Sequence, residues 1–232
     1  MKIIRSIAAK LFIISVSLTL VTGTIQLEIN SVRLYEYGFD RYAVSEDTGI
    51  DRQQLTEAAR TLVYYFNYRI DTPQLTVQGR SGEEFLLYQE DEQNRELTHL
   101  ADVRRLFLLN SLILVVSLVY LAAYILAFLL WIKGNWSDLV KRVSYGCALT
   151  LAVMLIVGLA TLFVDFEQLF LQFHHLAFSN PWWASTGYLP RLFPGYFWED
   201  VALLGAGSIV VGALILGSIA WVIPRWYLKR KG

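Results

Sequence analysis

Cysteine occurs once, at Cys147, inside an apolar run. That excludes a disulfide framework. It also argues against a cysteine nucleophile, because burial in hydrocarbon disfavours the thiolate. Lysine is absent between Lys10 and Lys133. There is no HExxH ligand pair of the zinc peptidase kind, and no GxSxG elbow precedes Ser179 or Ser185. The net charge is zero, and no nucleic-acid partner is expected.

What the chain has in quantity is apolar sequence. Hydrophobic residues make up 55% and the mean hydropathy is +0.43, too apolar for an ordinary soluble domain. A bilayer core of ~30 Å needs about 20 apolar residues in a helix. Leu106 to Ile132, Val143 to Phe163 and Val201 to Ile223 meet that. Leu11 to Val21 is shorter, but with Ile3 to Ala9 it can span. A cleaved signal peptide is the competing reading, since Lys2, Arg5 and Lys10 precede a short apolar centre. No small-x-small cleavage site is clear near Gly23, which favours a retained span.

The lysines sort the segments by side. They fall at Lys2 and Lys10, Lys133 and Lys141, and Lys229 and Lys231, joined by Arg5, Arg142, Arg225 and Arg230. Asp138 alone among the acids opposes them. The positive-inside rule makes these three segments cytoplasmic. The expected fold is all-α membrane: four transmembrane helices, a small extracytoplasmic α+β cap and an aromatic re-entrant or interfacial loop. The segments are 1–24, first helix; 25–105, cap; 106–132, second helix; 133–142, cytoplasmic loop; 143–164, third helix; 165–200, extracytoplasmic active-site loop; and 201–232, fourth helix with a cytoplasmic tail.

Within the cap, Asp51 can cap a helix carrying Leu55, Ala58, Ala59, Leu62 and Phe66 at helical spacing. Leu75 and Val77, then Phe85 and Leu87, alternate about Gly79-Arg80-Ser81-Gly82, a hairpin signal. The cap is too long for a plain loop and is expected to fold, with a solvated spacer the competing reading for its first half. Asp91 to Arg105 reads as a polar helix entering the second span, with Glu96, His99 and Asp102 near one face. A surface helix with i, i+3 pairs is the plain alternative. In the fourth span Gly205, Gly207, Gly212 and Gly217, with Ser208 and Ala213, suit close helix packing, and Ala122, Ala123 and Ala127 offer a partner surface.

The segment from Asp165 to Asp200 concentrates the chemistry: DFEQLFLQFHHLAFSNPWWASTGYLPRLFPGYFWED. Phe163 to Phe178 can extend the third span as a helix, with Glu167, Phe170 and His174 on one face and His175 turned by about 100°. Asn180-Pro181 ends it. Trp182, Trp183, Tyr188, Tyr196, Phe197 and Trp198 suit the headgroup level. Arg191, the basic residue of this loop, can bind phosphate, pair with Glu199 or Asp200, or stabilise an oxyanion. Three histidines could make a metal site, but His174 and His175 diverge on a helix, so no metal or other cofactor is expected.

FHHLAFSN, a following Trp, then a Pro and an FW pair resemble the lipoprotein intramolecular transacylase (Lit) family of bacterial integral membrane proteins. RELTHLADVRRLF is similar to a second family block through Glu96, His99, Leu100, Asp102 and Val103. The resemblance covers most of the chain, with these two blocks its specific part; Pro181 departs from the acidic residue expected there. It implies an enzyme that moves the sn-2 acyl chain of a diacylglyceryl-cysteine lipoprotein to the α-amino group of the same cysteine, giving an N-acyl lyso-form. It further implies a multi-pass protein of the bacterial cell membrane, with both termini cytoplasmic and an extracytoplasmic site. Diacylglyceryl lipoproteins and membrane lipids are the expected partners.

On that resemblance the catalytic residues are His174 and His99. His174 would take the proton of the attacking amine. His99 would act as acid or oxyanion stabiliser, oriented by Asp102 or Glu96; the two roles could be exchanged. Arg191, Asn180, Trp183 and Glu167 are further candidates for orienting groups or for oxyanion or substrate binding. The reactants belong to one molecule, so positioning replaces a covalent nucleophile. The competing classes are a lipid or lipoprotein acyl hydrolase using water, a metal-dependent membrane peptidase, and a non-enzymatic membrane scaffold or sensor.

Overall fold

Among the described residues, four helices are long and apolar enough to cross a membrane. In this computed structural model, residues 2–88, 95–132, 135–184 and 186–229 are described. Lys133, Arg230, Lys231, Ser185 and the start of the polar helix at Asp91 lie outside them. In chain order the elements are α1 (Lys2–Ile29), α2 (Val32–Arg41), α3 (Val44–Thr48), α4 (Arg52–Phe66), β1 (Thr76–Gln78) and β2 (Glu84–Leu86). Then come α5 (Arg95–Ala127) with a π-helical turn at Phe128–Ile132, α6 (Trp136–Ala160), α7 (Phe166–Ala177), α8 (Leu189–Leu192) and α9 (Gly195–Lys229). The chain divides into two units, 1–25 with 110–163 and 204–232, and 26–109 with 164–203.

The first unit holds the greater part of α1, α6 and α9 and the apolar part of α5. Its core is Phe12, Val16, Tyr124, Phe128, Leu139, Cys147 and Ala213. Leu112, Val116, Leu155 and Val211 are exposed apolar side chains, the kind of surface that lipid solvates. Several polar groups on these helices bond to the backbone: Thr150 Oγ1 donates to the Gly146 carbonyl at 3.0 Å, and the Tyr120 hydroxyl to the Ala8 carbonyl at 2.9 Å. That satisfies donors which hydrocarbon cannot.

The glycine pattern of the fourth span marks close helix approach at Gly217, where a Cβ would sit 3.2 Å from Cys147 Cβ, but not at every position. Nothing lies within 4 Å of a Cβ built on Gly207. A Cβ on Gly146 of α6 would sit 2.5 Å from Val16 Cβ and 2.9 Å from the Ile13 carbonyl. Ala122 and Ala123 are exposed, and α5 instead packs through the rings of Tyr124 and Phe128. Small residues mark a seam only where a neighbouring backbone comes near.

In the second unit, Asp51 accepts from Gln53 N at 2.7 Å and caps α4, which buries Leu55, Ala58, Ala59, Leu62, Tyr65 and Phe66. The hairpin pairs Val77 with Phe85 in antiparallel register. The reach from 32 to 48 is not a solvated spacer: α2 buries Tyr35, Gly38 and Phe39. Nor does α7 extend α6. Helix α6 stops at Ala160, and the Asp165 carboxylate accepts from Gln168 N at 2.8 Å, starting a separate helix.

Overpacking a tight seam costs ~1–3 kcal/mol. Gly146→Ala should therefore lower the thermal midpoint in detergent, while Gly207→Ala leaves it level or raised. Equal midpoints for the two variants would contradict the seam.

Candidate active site

Helix α5 begins well ahead of its apolar run, which starts at Leu106. Glu96, His99 and Asp102 occupy this polar approach, within about three turns of the run. His99 is 7% exposed and Glu96 0%. Helix α7 contributes His174, which is 6% exposed. Its neighbour His175 is exposed, as divergence of adjacent helix positions requires.

The two buried imidazoles meet. The His99 and His174 ring centroids are 5.9 Å apart, with planes tilted by 32°. Phe178 presents a T-shaped contact to His99 at 4.9 Å. Phe170 and Trp183 pack on His174 at 4.1 and 5.0 Å, and Trp183 also meets His175 at 5.4 Å. These rings wall the pair with apolar surface.

The hydrogen bonds define the state of each imidazole. His174 Nδ1 lies 2.7 Å from the Phe170 carbonyl oxygen. A carbonyl only accepts, so Nδ1 carries the hydrogen and Nε2 of the neutral ring keeps its lone pair. His99 Nδ1 is buried and has no partner among the described residues. Burial lowers the His99 pKa to about 4, the His174 ring adds to this, and Asp102 opposes it. Burial likewise lowers the His174 pKa, against the Phe170 bond, which raises it. Both rings are held neutral at neutral pH.

The two carboxylates that flank His99 on α5 do not bond its Nδ1. Glu96 Oε1 accepts from Leu189 N at 2.6 Å, and Asp102 Oδ2 accepts from Asn180 Nδ2 at 2.9 Å. Asp102 Oδ1 also takes Arg105 at 3.1 Å. Asn180 Oδ1 in turn accepts from Trp182 N at 3.1 Å. Glu96 and Asp102 thus tie the aromatic segment to α5 on either side of His99.

Arg191 is engaged differently from either expected partner. Its Nε reaches Asp47 Oδ2 at 2.9 Å and its terminal nitrogen the Asp47 carbonyl. Asp200 accepts from the Tyr37 and Tyr42 hydroxyls at 3.0 and 2.7 Å. Glu167 is exposed in the first turn of α7, in a different environment from buried His174. The sequence reading overlooked the Phe170 carbonyl, although the i, i+4 spacing of a helix offers it. It also overlooked Asp47, for which no local signal exists. Among the described residues no group of three or more His, Cys, Asp or Glu is placed to hold a metal ion.

Helices long and apolar enough to cross a membrane, with a buried pair of imidazoles on the polar approach to one of them, characterise an integral membrane protein. A family model described as lipoprotein intramolecular transacylase Lit matches residues 10–198. The chain belongs to the lipoprotein intramolecular transacylase (Lit) family, and is an enzyme of that class. The membrane-integral Lit of Bacillus cereus aligns with a TM-score of 0.72 at 16% identity, over 100% of this chain and 99% of its own. Two variants of that protein, with a histidine changed to arginine or to alanine, each give a TM-score of 0.70 at 16% identity. Both cover 97% of this chain, and 92% and 94% of theirs. At that identity the likeness establishes the fold. No curated relative matches the chain.

The lowered imidazole pKa values have a consequence for folding. The unfolded chain protonates its histidines near 6.5 and the folded one binds the His99 proton only near 4. Stability from this group is full above the unfolded value and is lost as pH falls from about 6.5 to about 4. The loss should be roughly 2–3 kcal/mol. Thermal melts of His99→Gln should show a shallower fall than wild type across that window; parallel profiles would rule the shift out.

Proposed function

We propose that His174 and His99 form the proton-transfer pair of an O-to-N acyl shift within one lipoprotein. The substrate is the N-terminal diacylglyceryl cysteine. Its amine nitrogen attacks the sn-2 ester carbonyl, the N–C bond forms, and the C–O bond to glycerol breaks. One proton leaves nitrogen and one joins the departing glycerol oxygen. The observation that carries this reading is the approach of the two buried, neutral imidazoles, with Nε2 of His174 left as a lone-pair base by the Phe170 bond.

Each component then has a task. His174 Nε2 takes the proton from the amine. His99 hydrogen-bonds the oxyanion, or relays to the departing glycerol oxygen the proton that His174 has taken. The spacing of the rings lets a substrate group lie against both. No nucleophile of the enzyme is required, because amine and ester share a molecule and only their approach must be organised. Asp102, Asn180 and Glu96 position the aromatic segment rather than react. Trp183 walls the pair, where its ring excludes water that would hydrolyse the ester. Arg191 holds α8 to Asp47.

The site is assigned to the extracytoplasmic face. The lysine distribution supports that side and two cytoplasmic termini. The second unit then comprises the cap and the aromatic segment. Phe173 and Leu176 of α7 are 51% and 90% exposed. Exposed apolar side chains opposite a buried histidine suit a helix lying in the headgroup plane. An interfacial segment also suits a substrate whose ester sits at that depth.

The test is mass spectrometry of lipoprotein N-terminal peptides from cells that rely on this chain for N-acylation. Wild type should give N-acyl lyso-form peptides. His174→Ala and His99→Ala should each lower the rate by about 10²–10⁴, the scale of general acid–base catalysis. Diacylglyceryl peptides with an unmodified amine from wild-type cells would refute the reaction. Normal product from both variants would refute the residues.

A further inference from the structure

Several polar side-chain atoms of the second unit are buried without a hydrogen-bond partner among the described residues, and two of them belong to groups that can donate a proton or hydrogen bond to an ester. One is His99 Nδ1, treated above; the other is the hydroxyl of Tyr88. Tyr88 is 0% exposed and has a φ of 66°. That left-handed backbone is unfavourable for a bulky side chain and persists only where its surroundings hold it.

The surroundings are well built. Leu87, also 0% exposed, donates its N–H to the Leu75 carbonyl at 2.9 Å. Phe85 of β2 stacks on Tyr188 at 4.7 Å, with planes 20° apart. The next residue, Leu189, places its N–H on Glu96 at 2.6 Å. The end of β2, the start of α8 and the turn of α5 that precedes His99 are thereby joined through successive contacts. Burial and then the nearby Glu96 carboxylate raise the Tyr88 pKa far above the usual phenol range. The group stays an O–H donor at any working pH.

A buried phenol normally finds a partner. Phenylalanine would fill the same space without the cost of a desolvated hydroxyl. The reaction proposed above supplies a ligand of matching chemistry. An ester has oxygen acceptors and no donor, and its carbonyl oxygen gains negative charge when the amine attacks. A single O–H in apolar surroundings suits that oxygen. We infer that the Tyr88 hydroxyl is a substrate-binding donor, hydrogen-bonding the carbonyl oxygen of the ester that is transferred. The inference rests on the acyl-shift reading.

The phenylalanine variant separates function from packing. Tyr88→Phe should lower kcat on a purified diacylglyceryl lipoprotein by about 10²-fold, the scale of one lost oxyanion donor. KM should change little. Its thermal midpoint should be unchanged or raised, because deleting an unpartnered buried hydroxyl does not destabilise. Full activity in Tyr88→Phe, or a joint fall of activity and midpoint, overturns the inference. His174→Ala is assayed beside it. If His174→Ala is dead while Tyr88→Phe is fully active, only the role of Tyr88 falls; if both are fully active, the acyl-shift reading of the site falls as well.

Discussion

Two hydrogen bonds from α5 to the aromatic segment govern the geometry of the second unit. Glu96 and Asp102 lie on the same helix, three residues before and after His99. Each spends a carboxylate oxygen on a donor far away in sequence, the Leu189 N–H and the Asn180 amide. A buried carboxylate such as Glu96 is costly unless it is hydrogen-bonded. Its need for a donor is therefore a strong constraint on where residues 180–189 can run. Once the segment is fastened at both points, Trp183 and Phe178 are carried to the histidines. Holding the loop, rather than holding His99, is what these acids do.

Their commitment to the loop leaves His99 without a carboxylate on Nδ1, which bears on its charge. An imidazole bonded to a carboxylate tends toward its protonated form. One buried among rings, beside a second imidazole, tends toward the neutral form. Two cations in such a place would repel and would lack solvation, so neutrality of one ring favours neutrality of the other. A neutral pair can pass a proton in one direction and return it in the other. That fits a reaction in which one proton is removed and one is delivered, with none consumed overall.

Much of this is legible in the sequence. Apolar run length fixes the spans because the bilayer sets one thickness for all of them. Helix α4 and the hairpin were readable because a cap residue and an alternating pattern act within a few residues. Helix α2 was not: it buries Tyr35 and Phe39 among charges, with too few apolar positions for a period to emerge. The break before α7 depends on whether Asp165 acts as a cap or as one more helical residue, and both uses share one spelling. The ion pair of Arg191 with Asp47 joins residues 144 apart in sequence. Local pattern favoured Glu199 or Asp200, but Asp200 already takes two tyrosine hydroxyls. The approach of His99 to His174 is also non-local. It was reachable only through the resemblance of two blocks to one family.

The second unit departs from ordinary packing rules at a few buried polar atoms. His99 Nδ1 and the Tyr88 hydroxyl are desolvated without a partner among the described residues, and Tyr88 also has a left-handed backbone. Around them the rules are kept closely, with capped helices, stacked rings and anchored loops. Local costs of this kind persist where rigid surroundings leave no alternative, and they concentrate where a protein binds or reacts. For an intramolecular acyl shift that arrangement is apt. The substrate brings both reacting groups, so the enzyme's contribution is a few polar atoms kept dry, fixed in direction and not committed to one another.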